Sequence, residues 1–182
     1  MSKTEIRLAG FGGQGIVLLG NIIGKAASIY NKQSAALTQS YGPESRGGSC
    51  RAEVIISGSP IEYPYITSPQ IQVILSQEAY NEFGANAPEG TLLLVDSELV
   101  KMEKPPKART FTIPASRIAQ EMGRSVVANI IMLGFFSAHS DIVSREALER
   151  SVVDFIPTGS EAFNMKAFET GFNYSKEKHG PA

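Results

Sequence analysis

The stretch EIRLAGFGGQGIVLLGNIIGKAA, residues 5–27, decides the fold. Ile6 to Ala9 alternates and then meets a run of glycines, which predicts a short first strand. From Gln14 to Tyr30, apolar residues recur at Ile16, Leu19, Ile22, Ile23, Ala26 and Ile29, the spacing of a helix with one buried face. Between strand and helix, Gly10-Phe11-Gly12-Gly13-Gln14-Gly15 fits G-x-G-x-x-G. Glycines there permit a tight turn, and the helix start offers unpaired N–H groups and a positive dipole end to an anion. Gly10, Gly12, Gly13, Gln14 and Gly15 are therefore the candidate cofactor-binding residues.

A dinucleotide site of this kind also needs an acid near the end of the second strand, to bind a ribose hydroxyl. From Ile6 through Pro43 there is no Asp or Glu, and the second strand ends in Leu37-Thr38-Gln39-Ser40. NAD is disfavoured. The turn also lacks the Lys-Ser/Thr of a P-loop, because Ile16 and Val17 follow Gly15. An anion site and a mere packing device both remain open readings of the glycines.

Outward from this unit, Gln33 to Gln39 reads as a second strand and Cys50 to Ser57 as a third, with the turn-rich SYGPESRGG between them. A parallel crossover needs a dozen or more residues, so these two strands are expected to run antiparallel or to lie apart. IQVILS (71–76) predicts a buried strand followed by a helix through Phe83, and GTLLLVD (90–96) another covered strand. RTFTIPAS gives a further strand ended by Pro114, with Ser116 a candidate cap for a short helix to Met122. Helices follow at Val126–Ser137, Ser144–Phe155 and Thr158–Phe172, then a polar, flexible tail over about 173–182. The alternation predicts a single three-layer α/β/α domain over 1–182, Rossmann-like, with a mixed, mostly parallel sheet.

Composition narrows the function classes. Of 182 residues, 42% are hydrophobic and 19% charged, with a net charge near -1, so no overall field would draw nucleic acid or an anionic membrane. No apolar run approaches the roughly 18 residues of a membrane helix. The opening MSKTEIRLAG passes straight into a strand pattern, which predicts no signal peptide and a cytoplasmic location. The single cysteine, Cys50, cannot form an internal disulfide or supply the four thiolates an iron–sulfur cluster usually takes. Cys50 reads as buried rather than nucleophilic. His139 reads as a helix-end residue and His179 as part of the tail, and neither has neighbours that suggest a metal site or a triad. No catalytic residue and no metal ligand is assigned. Asn129, on an apolar helix, is expected to bond to backbone or to a neighbouring chain.

The second feature is TQSYGPESRGGSCRAE, residues 38–53. Tyr and Arg dominate buried contacts at interfaces, and an Arg between glycines can hold a phosphate or carboxylate through its fork of donors. Tyr41, Gly42, Pro43, Glu44, Arg46, Gly47, Gly48 and Arg51 form a candidate interface or anion-binding segment; a turn with solvated charges is the plainer reading.

Taken together, GFGGQGIVLLG, TQSYGPESRGGSCRAEVIIS, LLVDS and ANIIMLG resemble the gamma subunit of the 2-oxoacid:ferredoxin (acceptor) oxidoreductases, over about Ile6 to Phe172. The Tyr41–Gly48 segment is the most specific part. The resemblance implies a multi-subunit enzyme that decarboxylates a 2-oxoacid on thiamine diphosphate and passes electrons through iron–sulfur clusters to ferredoxin. Its products are an acyl-CoA and CO2. It implies that partner alpha, beta and delta subunits carry the thiamine diphosphate and the clusters. This chain would be noncatalytic, inactive alone, and would serve assembly and the access of coenzyme A. The compact chain and its EYPYITSPQ segment resemble the 2-oxoglutarate type most. A symmetric dimer is also expected, with the apolar helix Val126–Phe136 as the contact. The alternative is an independent nucleotide- or CoA-binding Rossmann-like protein.

Overall fold

The first strand, β1 (Thr4–Phe11), lies at the centre of a six-stranded sheet. The other strands are β2 (Ser34–Tyr41), β3 (Ser49–Ser57), β4 (Ile71–Ile74), β5 (Leu92–Asp96) and β6 (Arg109–Ile113), in the spatial order β2-β3-β1-β4-β5-β6. The computed structural model describes residues 3–42 and 48–179, and side chains through residue 174. Pairs β1–β4, β4–β5 and β5–β6 are parallel, whereas β3 runs antiparallel to both β1 and β2. The sheet is thus mixed and mostly parallel, with β3 the one reversed strand. Of the two arrangements expected from the short β2–β3 connection, antiparallel pairing or separation, the antiparallel pairing forms. Reversal also explains why no helix joins β3 to β4: β3 ends where β1 begins, beside the start of β4.

Strand alternation sorts the core into two unequal faces. Ile6, Leu8, Ala52, Val54, Ile56, Val73, Leu94 and Ile113 face the thick helical layer. That layer holds α1 (Ile16–Lys25), α3 (Ala115–Glu121), α4 (Ala128–His139), α5 (Arg145–Phe155) and α6 (Glu161–His179). Ala9, Ile74, Leu93 and Val95 face a thinner layer. There, α2 (Gln77–Ala79) with its π-helical continuation Tyr80–Gly84 packs beside Val100 and Ala108.

Several boundaries differ from the sequence reading for local reasons. The first helix ends in a π-helical turn, Ala26–Tyr30, so its last residues leave α-helical register. Pro114, not Ser116, occupies the N-cap position of α3; Ser116 lies in the first turn, where its N–H and hydroxyl both donate to the fully buried Asp96 carboxylate at 2.9 and 2.6 Å. Ser144 does cap α5, accepting from the Ala147 N–H at 3.3 Å. The last helix does not stop near Phe172: its backbone stays helical to His179, through most of the span expected to be a tail.

The apolar character of α4 has an internal cause. Ile130, Ile131, Met132, Leu133, Phe135 and Phe136 are all buried, between the sheet and α6. Most of the stretch expected to join two copies is consumed inside one chain, while Val126 at its start stays exposed. The crossing is close because Gly134 and Gly171 have no side chains: a Cβ on Gly134 would meet the Phe168 carbonyl, and one on Gly171 the Ile131 carbonyl. Asn129 accepts from the adjacent Ile130 N–H at 2.8 Å and stays within the chain's core.

Candidate functional site

The glycine stretch turns the chain from β1 into α1 at the carboxyl ends of the parallel strands. Gly13 and Gly15 adopt φ of 95° and 76°, left-handed values that a Cβ disfavours. Gly15 is the N-cap of α1, without a side-chain cap, and Leu19 N–H donates to its carbonyl at 3.0 Å. The N–H groups of the first turn, Ile16 to Leu18, have no intrahelical acceptor and carry the positive end of the helix dipole. Several other donors in the turn are used within the chain. Phe11 N–H donates to the Gln14 Oε1 at 2.6 Å, and Gly12 N–H to the Gly48 carbonyl at 2.8 Å. Gln14 Nε2 donates to the Leu75 carbonyl at 2.8 Å. Gln14 therefore clamps the turn to the end of β4 with both ends of its amide.

Two clefts flank this turn. One, of about 560 Å³, is lined by Gly13, Gln14, Leu75, Ser116, Ser125, Val126 and Ala128. It lies at the carboxyl ends of the strands, where open α/β sheets bind their ligands. Among the described residues, no acidic one lines it. The other, of about 400 Å³, runs past Gly10, Ser40, Tyr41, Cys50, Arg51, Glu78, Glu82 and Phe83.

Gly12 and Gly48 thus join the two motifs into one surface. Tyr41 ends β2 with its ring exposed, and Gly42 N–H closes the hairpin on the Ser49 carbonyl at 2.7 Å. Pro43, Glu44, Arg46 and Gly47 lie outside the described residues. Arg51 is partly committed: its Nε lies 3.3 Å from the Glu53 carboxylate, which also receives the Arg7 Nε at 3.0 Å. Both guanidinium groups stack on Phe83, at 4.4 Å for Arg7 and 5.5 Å for Arg51. Glu53 closes the segment singled out in the sequence, whereas Arg7, Phe83, Glu78 and Glu82 were not candidates there. The signal available was strand parity: Arg7 alternates with Ile6 and Leu8, and so shares a sheet face with its register partner Glu53.

The single thiol is buried, and burial pushes its pKa up, which makes Cys50 a poor nucleophile. His139 stacks on Phe111 at 4.0 Å and meets Phe135 edge-on at 4.5 Å. No cluster of metal-ligating residues occurs among the described residues, and no described helix is long and apolar enough to cross a membrane. The topology adds a reason against NAD. In a dinucleotide fold the second strand lies beside the first, whereas here β3 separates β2 from β1. The end of β2 is thereby removed by two strand spacings, about 10 Å, from the glycine turn.

Residues 5–174 match the pyruvate ferredoxin/flavodoxin oxidoreductase family. The chain belongs to that family. Within it, the chain is similar to the 2-oxoglutarate synthase subunit KorC of Methanocaldococcus jannaschii, with 46% identity over 96% of this chain and 95% of the relative. Among solved structures it resembles the gamma subunit of a keto/oxoacid ferredoxin oxidoreductase from Geobacter sulfurreducens. That likeness has a TM-score of 0.84 and 40% identity, over 96% of this chain and 99% of the other. The 2-oxoglutarate:ferredoxin oxidoreductase of Magnetococcus marinus, solved with 2-oxoglutarate, coenzyme A and succinyl-CoA, shares the fold. Its TM-score is 0.88 at 24% identity, covering all of this chain and 32% of the larger one. The chain is a gamma subunit of a 2-oxoacid:ferredoxin oxidoreductase, a member of a multi-subunit enzyme.

Proposed function

We propose that this gamma subunit serves a 2-oxoglutarate:ferredoxin oxidoreductase, that it performs no bond-making itself, and that its glycine turn borders the route of coenzyme A. The observation that carries the reading is the 46% identity to a 2-oxoglutarate synthase subunit over nearly the full length of both chains. The thiamine diphosphate and iron–sulfur clusters belong to the alpha, beta and delta partners, since one buried cysteine provides no cluster ligand set. Coenzyme A supplies the thiol that takes up the acyl group; the part of this chain is to receive anionic groups and orient them.

The chemistry of the cleft at the carboxyl ends of the strands suits that part. First-turn N–H groups of α1 attract phosphate oxygens, and Gly13 leaves the backbone open to close approach. Gly12→Val in the assembled enzyme should raise the KM for coenzyme A more than the KM for the oxoacid. The companion measurement is affinity purification from the native cell, followed by assay of the recovered complex with 2-oxoglutarate, pyruvate and branched-chain oxoacids. Recovery of this chain alone, or equal coenzyme A kinetics in a folded Gly12→Val enzyme, would remove the reading. A preference for another oxoacid would remove the 2-oxoglutarate assignment only.

A further inference from the structure

The two edges of the sheet are built differently. β6 is five residues long, begins with Arg109, follows Lys107 and is stopped by Pro114, the short charged edge by which proteins discourage further pairing. β2 has none of these devices. Its eight residues, SAALTQSY, contain no charge and no proline, and the register with β3 is unbroken from Ser34 to Tyr41, so no bulge twists the edge away. Its other backbone edge pairs with no strand among the described residues. Beside it runs a groove of about 440 Å³, bordered by Gly20 and Gly24 of α1, Leu37 and Phe155.

We propose that β2 pairs antiparallel with β2 of a second copy of this chain, joining two sheets about a twofold axis near Leu37. In a homotypic antiparallel pair, every residue near the axis meets itself or a close neighbour, so a charge there would face its own like. An edge without charges over its whole length meets that condition, which pairing with a different chain would not impose. With Leu37 on the axis, both Leu37 side chains point to the α1 face of the joined sheet. There they close the groove together with Phe155, which is 39% exposed in the single chain. At the groove rim, Lys25 and Asp154 lie 2.9 Å apart as a neutral pair. A twofold axis presents such a pair to its mate with opposite signs available on both sides. This contact is separate from the buried α4, and it does not depend on which oxoacid the complex uses.

Sedimentation of the purified full chain at high micromolar concentration tests the proposal. The parent chain is expected to be a dimer. Ala36→Lys and Ala36→Glu, each alone, are expected to lose the dimer, and an equimolar mixture of the two to regain it. Circular dichroism melts establish that the variants fold. Amide hydrogen exchange on the parent provides a readout without substitution: alternate N–H groups of 34–41 should gain protection as concentration rises. A monomeric parent, a dimer indifferent to both charges, or exchange in 34–41 that ignores concentration would each overturn the proposal. Open-ended aggregation would do so too, because a twofold contact closes.

Discussion

The side-chain amide of Asn129, in the first turn of α4, fills the space that a Cβ on Gly15 would need. Gly15 is also left-handed, so two independent constraints meet at the residue from which α1 starts. Gly15→Ala is expected to cost about 2–4 kcal/mol, part from the left-handed backbone and part from steric overlap. Adding Asn129→Ala should recover the steric part and leave the backbone part. Urea unfolding of the four proteins of this double-mutant cycle measures both, and additive costs would disprove the contact.

Gln14 offers a second test of how the turn is held. Gln14→Ala leaves the Phe11 N–H and the Leu75 carbonyl without the partners they have now, at a cost of about 1–3 kcal/mol. Gln14→Glu keeps an acceptor for Phe11 but points a carboxylate at the Leu75 carbonyl. Both variants should unfold at lower urea than the parent. A parent-like midpoint for Gln14→Ala would show that the clamp is idle.

Glu5 sets a pH dependence. Burial alone would raise its pKa, but Lys3 and the N–H groups of Ser68 and Thr67 together outweigh burial and hold the carboxyl below its ordinary value. Both N–H groups lie 2.7 Å from its Oε2, and they anchor the loop that displays Tyr63 and Tyr65 to solvent. A lowered folded-state pKa contributes stability above the unfolded pKa, which is lost as pH falls through the folded one. Glu5→Gln should therefore be less stable than the parent at neutral pH, with the gap narrowing on acidification below the ordinary carboxylate range. Urea midpoints of both proteins across that range check it, and a gap that stayed constant with pH would contradict it.

The α4–α6 crossing should be intolerant of a single methyl. Gly134→Ala places a Cβ against the Phe168 backbone, which cannot swing aside as a side chain would. A loss of about 1–3 kcal/mol or more is expected. Gly24→Ala, where a Cβ meets nothing within 4 Å, is the control, and it should be neutral or slightly stabilising. Thermal melts of the two variants distinguish a packing requirement from a general sensitivity to lost glycine.

Much of this fold was legible because its periodicities were unambiguous. The Ile16-to-Ala26 stripe, the strand expected at Cys50 to Ser57 and the apolar run at Leu92 to Val95 each became the element expected. The short Tyr41–Ser49 connection narrowed β3 to a reversed partner of β2 or a strand lying apart from it, and the reversed arrangement forms. What stayed hidden depended on residues far apart in sequence. Asp96 holds Ser116 from 20 residues away, so Ser116 looked like a cap for its own helix. The all-round apolar surface of α4 looked like an interface, because nothing local announced that α6 would cover it. At the site, the glycines were visible as a turn, but Gln14 looked like a ligand residue until Leu75 proved to be its partner. Arg51 looked free until strand pairing brought Arg7 and Glu53 to its side.

The reversed strand has one further consequence. Because β3 runs against its neighbours, the β2–β3 connection emerges at the same end of the sheet as the glycine turn, and the Gly12–Gly48 bond ties the two. The hairpin is already closed at its root, where Gly42 meets Ser49. Two segments far apart in the chain are thereby fixed as one unit, so a displacement of the hairpin root is passed directly to the turn that starts α1.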